Sequence, residues 1–415
     1  MFRALLLSCL ILFLSIQGFS QNTFSITGVV KDKKETLPGA GVYVSGYKIA
    51  TATDAEGKFR LPNLKPGSYD ILVQMIGYLP FSKNIIISDK SVQVEFVLKE
   101  NAVMLNEVVI RADPNRQKYI NQFKQYFIGT SPNAKACKII NPQVLRVDYD
   151  ITTSTLTVKT DEFLIVENKA LGYRIKYMLD YFEYNKRTNI IYYAGKPFFE
   201  ELKASNAKNK KYIDLREIAY YGSAQHFFKS LYKGTSQAEG FIINKIIKVP
   251  NPNRAPDSII NKNILALKNP PGKTGIRKNA AKVDTSLLAY WQKQQALPKF
   301  IDKFNNAEVL PDTLVHYYNK DLKLLNYTNS LCVMYTKERE STVYANSGFW
   351  IFRPLYIPDY ELSVAKLTDG PIRFYEGGGI LDSRSLLFEG FWAYEKVADM
   401  VPMDYIPLAK RSTSP

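Results

Sequence analysis

Two histidines, His226 and His316, are the chain's whole supply of imidazole. A zinc hydrolase builds its site from several His and carboxylate ligands and adds a base. His226 is followed by Phe227, Phe228 and Lys229, and His316 by Tyr317, Tyr318 and Asn319. Neither opens H-x-x-E or lies in H-E-x-x-H, so both read as ordinary packed or surface histidines. Ser223 stands three residues before His226, a spacing that puts both on one helical face. No G-x-S-x-G elbow surrounds it and no third group is indicated. Cys137 and Cys332 lie in no nucleophile signature. Pro271-Gly272-Lys273-Thr274 imitates the end of a phosphate loop, but Leu267 stands where that loop needs glycine, so the stretch reads as a basic turn. Glu376-Gly377-Gly378-Gly379 has the freedom to approach a ligand and reads as a turn between strands. The sequence therefore assigns no catalytic, cofactor-binding or metal-ligating residue, and no cofactor.

The elements that would position these residues are mostly strands. Asp113 and Pro114 are expected to start a helix as N-cap and first helical residue. Ile120, Phe123 and Phe127 then fall at helical spacing, and Gly129 stops the run. Leu145–Tyr149 and Leu156–Lys159 predict a hairpin about Thr152–Ser154, continued by strands at Phe163–Val166, Tyr173–Tyr184 and Asn189–Tyr193. A helix around Ile213–Lys233, with Ile218, Gly222 and Leu231 inward, would carry Ser223 and His226. Phe241–Val249 reads as extended, and Ser286–Gln295 as a helix capped by Asp284 or Thr285. Strands are expected again at Leu322–Tyr335, Thr342–Phe352, Ile372–Tyr375 and Phe388–Tyr394. The many Tyr and Phe suit half-buried β-surface better than a glycan platform.

Before this region lies a stretch of short strands and turns. Ser25–Val30, Ala40–Ser45, Lys58–Leu61 and Tyr69–Met75 read as strands. Tyr69, Ile71, Val73 and Met75 share one face, as do Val92, Val94, Phe96 and Leu98 in the last strand. Asp54-Ala55-Glu56-Gly57 and Pro66-Gly67 supply turns. Five of these motifs, in order, carry a resemblance: Gly28-Val29-Val30-Lys31-Asp32, Leu37-Pro38-Gly39-Ala40, Thr53 to Phe59, Pro66-Gly67-Ser68-Tyr69 and Gly77-Tyr78. Together they resemble the carboxypeptidase-regulatory-like domain, which implies a transthyretin-like β-sandwich over residues 24 to about 99. The family's motif carries no catalytic residue, so none transfers. Residues 104–113, MLNEVVIRAD, resemble the energy-coupling box of TonB-dependent receptors. The roughly 300 residues that follow are too few for a plug and a large receptor barrel, so this stretch reads as a strand or linker. Further on, Phe127–Ser131, Glu167–Tyr173 and Tyr221–Phe227 are similar to the region after the sandwich in envelope proteins of Gram-negative bacteria. That resemblance implies organisation and location, not chemistry.

The bulk properties fit this picture. Hydrophobic residues make up 46% and charged residues 23% of 415, a folded composition. Residues 1–20 read as a secretory signal: Arg3, an apolar run from Ala4 to Ile16, and Gly18 and Ser20 before Gln21. Cys9 is a poor lipoprotein cysteine, with Leu7 where a small residue is wanted. No later run is apolar enough for a membrane helix. Export removes Arg3, so the net charge falls from +16 to +15. In an oxidising compartment Cys137 and Cys332 either pair as a disulfide or stay as two buried thiols. Between Asn244 and Lys282 stand nine Lys or Arg and one acid, Asp257. The plain reading is a solvated, mobile basic loop. A partner, if present, would be an envelope protein or an anionic glycan or lipid surface rather than nucleic acid.

The expected organisation is a signal peptide at 1–20, a sandwich at 21–100, a linker at 101–116 and a β-rich α+β domain at 117–415, with the basic Asn/Pro segment at 244–282. The fold class is mainly β. The expected function is a non-enzymatic exported envelope protein, with a sandwich interaction module and a second region that binds a protein or glycan, peripheral to the membrane. The alternatives are an unrecognised hydrolase or peptidase-associated protein, and an accessory protein of a transport system embedded in the outer membrane.

Overall fold

The computed structural model describes residues 23–101, 113–268, 285–381 and 383–408. The expected signal segment, the coupling-box-like stretch up to Ala112 and the expected turn at Pro271–Thr274 lie outside the described residues. Over the rest the protein is mainly β with few helices, as expected.

Seven strands make the first unit: β1 (Phe24–Lys31), β2 (Gly41–Val44), β3 (Ala50–Ala52), β4 (Lys58–Leu64), β5 (Gly67–Gln74), β6 (Phe81–Ile87) and β7 (Val92–Val97). A three-stranded sheet, β4-β1-β7, packs on a four-stranded sheet, β3-β2-β5-β6. The expected alternation holds: Tyr69, Ile71 and Val73 of β5 meet Ile26, Val30, Leu61 and Phe96 in one core. The Asp54 carboxylate accepts the N–H groups of Glu56 (3.1 Å) and Lys58 (2.8 Å), which fixes the predicted turn. β6 has no clear sequence signal because it is an edge strand whose Ser82, Lys83 and Asn84 face solvent.

The sandwich is docked on the six-stranded sheet of the second region. Leu72 points away from its own core yet is buried, against Phe163 and Met178. Tyr43 sets its ring edge-on to Phe163 and Phe198, with centroids 5.1 and 5.0 Å away. Gly46 N–H donates to the Pro197 carbonyl at 2.6 Å, and Phe199 N–H to the Tyr47 carbonyl at 3.1 Å.

A helix, α1 (Arg116–Phe127), covers that sheet, which is built from β8 (Cys137–Ile139), β9 (Arg146–Asp150), β10 (Thr155–Lys159), β11 (Leu164–Asn168), β12 (Tyr173–Asn185) and β13 (Ile190–Glu201). Asp113 does not cap α1; its carboxylate accepts Asn115 N–H at 2.8 Å and closes the preceding turn. Phe123 and Phe127 are fully buried, edge-on to Phe182 and Tyr177. The long strand β12 pairs along its whole length with β13, while its other edge is shared by β11 and β10.

Two helices come next where one was expected: α2 (Asn206–Tyr220) and α3 (Ala224–Lys233). They part at Gly222, whose φ of +76° no helix accommodates. Ile218 is 60% exposed, so its expected inward position is wrong, whereas Leu231 is buried. Beyond them lies a five-stranded sheet, ordered β15-β14-β18-β19-β21, with a three-stranded sheet β16-β17-β20 beside it. Its members are β14 (Phe241–Pro250), β15 (Phe300–Glu308), β18 (Ser330–Arg339), β19 (Tyr360–Leu367) and β21 (Leu386–Gly390). The smaller sheet holds β16 (Val315–Tyr317), β17 (Leu322–Leu325) and β20 (Ile372–Tyr375).

Between β14 and β15 lie α4 (Asp257–Lys268) and α5 (Thr285–Ala296). Residues 257–268 are thus helical, not the loop the Asn and Pro content predicts. Three expected strands also differ. Leu322–Tyr335 is two strands, β17 and the first part of β18, which belong to different sheets. Thr342–Phe352 holds a one-turn helix, α6 (Thr342–Ala345), because Ser341 accepts Tyr344 N–H and caps it. Phe388–Tyr394 divides at Gly390 into the end of β21 and a one-turn helix, α7 (Phe391–Tyr394). None of the sheets among the described residues closes on itself, so no receptor barrel is present there. No helix among them is long and apolar enough to cross a membrane.

Candidate functional site

The junction of α2 and α3 gathers the residues whose spacing invited a catalytic reading. Ser223 is the N-cap of α3: its hydroxyl oxygen accepts His226 N–H at 3.2 Å and its proton goes to the Tyr220 carbonyl at 2.7 Å. The hydroxyl is therefore used up by the backbone and does not address the imidazole. The ring itself is buried among Tyr220, Tyr221, Phe241 and Tyr335, with centroids 4.8–5.5 Å away. Its Nδ1 accepts the N–H of Gly222 at 3.2 Å, so its proton sits on Nε2, which donates to Glu239 at 2.7 Å. Burial pushes the imidazole below its ordinary value, against the pull of Glu239. Burial pushes Glu239 the other way, but hydrogen bonds from Thr235 and His226 outweigh it and keep the carboxylate ionised. A neutral histidine with both nitrogens engaged holds a turn together and offers no free base.

Gly222 is the centre of that turn. Its carbonyl accepts Trp392 Nε1–H at 2.8 Å, and a Cβ added to it would lie 2.4 Å from Glu361 Oε2. Glu361 is a buried acid on β19 whose Oε2 has no hydrogen-bond partner among the described residues. Burial first, then the nearby charges of Glu338 and Glu340, push its carboxyl up to about 9. It is a neutral acid at pH 7, held under the aromatic wall rather than open to a substrate.

The remaining candidates are scattered. His316 is exposed on β16, away from His226. Among the described residues no three His, Cys, Asp or Glu side chains come together as a metal site. Cys137 lies in the core under α1 and Cys332 in a separate cluster on β18. They are free thiols, so the bridge weighed from the sequence is absent from this structure, and burial pushes each up to about 12. Gly378 is part of a tight turn, as expected: its N–H donates to the Tyr375 carbonyl at 2.9 Å. A Cβ there would come within 2.5 Å of the Gln225 carbonyl, so the glycine run fits against α3 and not a ligand.

What the structure does assemble is a basic arm. Only the first half of β14, Phe241–Ile246, pairs with β18; beyond it β14 and β15 continue as a two-stranded ribbon to Pro250 and Phe300. The tip is locked by Asn251, Arg254 and Gln294. Asn251 Nδ2 donates to the Pro298 carbonyl (3.0 Å), Arg254 Nε to the Leu297 carbonyl (2.9 Å), and Gln294 Oε1 accepts Ala255 N–H (2.8 Å). Helix α4 buries Ile260 and Ile264, whereas α5 buries nothing. Ile259, Leu265, Leu287, Tyr290 and Phe300 remain 43–62% exposed. Residues 244–268 and 285–303 carry eight Lys or Arg and two acids. Asp257 is taken by Lys299 and Arg254, each at 2.5 Å, and these hold its carboxyl below the usual range. Lys248, Lys262, Lys268, Lys293 and Lys303 have no carboxylate partner among the described residues. On this arm positive side chains are interleaved with exposed apolar ones. The charge run was legible in the sequence; the ribbon and helices that present it were not.

Comparison with known proteins bears on the first unit. Residues 26–110 match the CarboxypepD_reg-like domain. A curated relative, the TonB-dependent receptor SusC of Bacteroides thetaiotaomicron, is 37% identical over 111 residues, which is 26% of this chain and 10% of the receptor. The match thus spans about a tenth of that receptor's length. A solved cohesin–X-dockerin complex from Acetivibrio cellulolyticus is similar at 15% identity over 26% of this chain and 76% of that one, with a TM-score of 0.19. Catechol 1,2-dioxygenase from Acinetobacter is similar at 10% identity over 23% of this chain and 59% of that one, again with a TM-score of 0.19. The N-terminal module is of the carboxypeptidase-regulatory-like type and is shared with a TonB-dependent receptor, but no receptor barrel accompanies it among the described residues.

Proposed function

We propose that this is an exported, non-enzymatic protein of the Gram-negative cell envelope. Its sandwich serves as an interaction module, and its second region docks peripherally on a partner. The observation that carries the reading is the basic arm. Lysines without carboxylate partners among the described residues surround exposed Ile259, Leu265, Leu287 and Tyr290 on two short helices. Such a combination matches an anionic lipid surface, where lysines meet headgroups and apolar side chains enter the interface. An anionic glycan would use the charge but leave the apolar side chains without a role. The engagement of both His226 nitrogens supports a non-catalytic reading of that turn.

Fractionation of cells producing the chain tests location and attachment together. The expected result is recovery with the envelope and release by concentrated salt without detergent. Recovery in the cytosol, or release only by detergent, contradicts it. Chelator-sensitive release of C-terminal residues from peptides by the purified protein would contradict the non-enzymatic part.

A further inference from the structure

A second feature, independent of the basic arm, is a cavity of about 280 Å³ between the β12–β13 turn, the loop after α6 and the end of β21. Its walls include Ile191, Phe349, Trp350, Ile351 and Phe388, and Lys396 contributes the cationic group. The Lys396 ammonium lies 5.5 Å from the Phe349 ring centroid and 5.8 Å from that of Tyr193. Burial pushes this amine down to about 8, with no offsetting carboxylate among the described residues. Glu389, the acid on the cavity wall, is committed to Lys366 at 2.7 Å.

The wall is fixed in place. Trp350 Nε1 donates to Glu340 at 3.2 Å, and Arg353 clamps the same carboxylate at 2.8 Å. The indole is thereby oriented while remaining 42% exposed. Lys396 is half-buried, and a partly desolvated cation without a counter-charge gains when an anion reaches it. Apolar and aromatic walls take up the body of such an anion. The volume lies just below the usual range of ligand pockets, about 300–1,000 Å³, which restricts the occupant to a small molecule.

We propose that this cavity binds a small organic carboxylate with a flat apolar body, its carboxylate on Lys396 and its body between Phe349, Trp350 and Phe388. Cation–π contacts from Phe349 and Tyr193 hold the ammonium in the absence of that anion.

Phenylacetate is a suitable probe, with 2-phenylethanol as its uncharged counterpart, read by quenching of tryptophan fluorescence in the full chain. Saturable quenching by phenylacetate is expected, at least tenfold tighter than by the alcohol. Lys396→Met should abolish that preference, Lys396→Arg should keep it, and Trp350→Phe should remove most of the signal. Melting temperatures report whether each variant is folded. Equal or weaker binding of phenylacetate than of the alcohol by the unaltered chain overturns the proposal without any variant. So does undiminished phenylacetate binding by folded Lys396→Met.

Discussion

His226 Nε2 lies 2.7 Å from Glu239 Oε2, while the ring's other nitrogen accepts the N–H of Gly222. That pairing fixes the tautomer with its proton on Nε2 and leaves no lone pair for chemistry. Nitrogen-15 correlation spectra at pH 7 should show this tautomer; a Nδ1–H ring or an imidazolium would contradict it. Because the folded-state value is depressed by burial, the linked stability is present above about pH 6.5 and lost as pH falls below it. His226→Gln leaves the Gly222 N–H unpaired and should cost about 1–3 kcal/mol.

Glu361 predicts the opposite slope. Its folded value is raised to about 9 by burial, so its linked stability is full below the unfolded value and is lost as pH rises toward 9. Glu361→Gln removes the ionisation that favours the unfolded chain and should stabilise the protein by a few kcal/mol at pH 8, on the order of 1.4 kcal/mol for each pH unit above the unfolded value. The gain should shrink toward zero near pH 4.5. Denaturant unfolding at the two pH values checks this, and a pH-independent difference would contradict it.

Cys137 and Cys332 sit in separate cores with thiols pushed up to about 12 by burial. Ellman's reagent should find neither within minutes in the native protein and both in guanidinium without reductant. Failure of both to react after unfolding would mean they pair.

Leu72 ties the sandwich to its neighbour through Phe163 and Met178. Leu72→Ala should cost about 2–5 kcal/mol and separate the unfolding of the two parts in a denaturant titration. A single transition shifted by under about 0.5 kcal/mol, the usual scale of a surface change, would contradict the docked arrangement.

Much of the fold was readable where one face is buried and the other wet. The period-two runs in β7, β9 and β10 and the turn at Asp54 could be placed from local residue choice. β19 could not. It is buried on both faces, yet Glu361 and Ser363 interrupt the apolar run that would reveal a central strand. The division at Gly222 depends on contacts with Glu361 and Trp392, more than a hundred residues away in sequence. Of the arm, the sequence showed the charge but not the helices, because Asn and Pro outweigh the Ile and Leu of α4 in local propensity. Lys396 carries no sequence signal; its setting comes from three separate segments.

Docking on an anionic lipid surface is tested most directly by sedimenting the purified protein with vesicles. It should pellet with phosphatidylcholine vesicles that contain phosphatidylglycerol and stay in solution with phosphatidylcholine alone. Binding should weaken steeply between about 50 and 500 mM salt as screening grows. A triple variant, Lys262→Glu, Lys268→Glu and Lys293→Glu, should remain in the supernatant with an unchanged melting temperature. Absence of pelleting with the anionic vesicles at low salt, or equal pelleting of the folded triple variant, would contradict the account. Capture by a soluble polyanionic glycan without vesicle binding would contradict the lipid assignment.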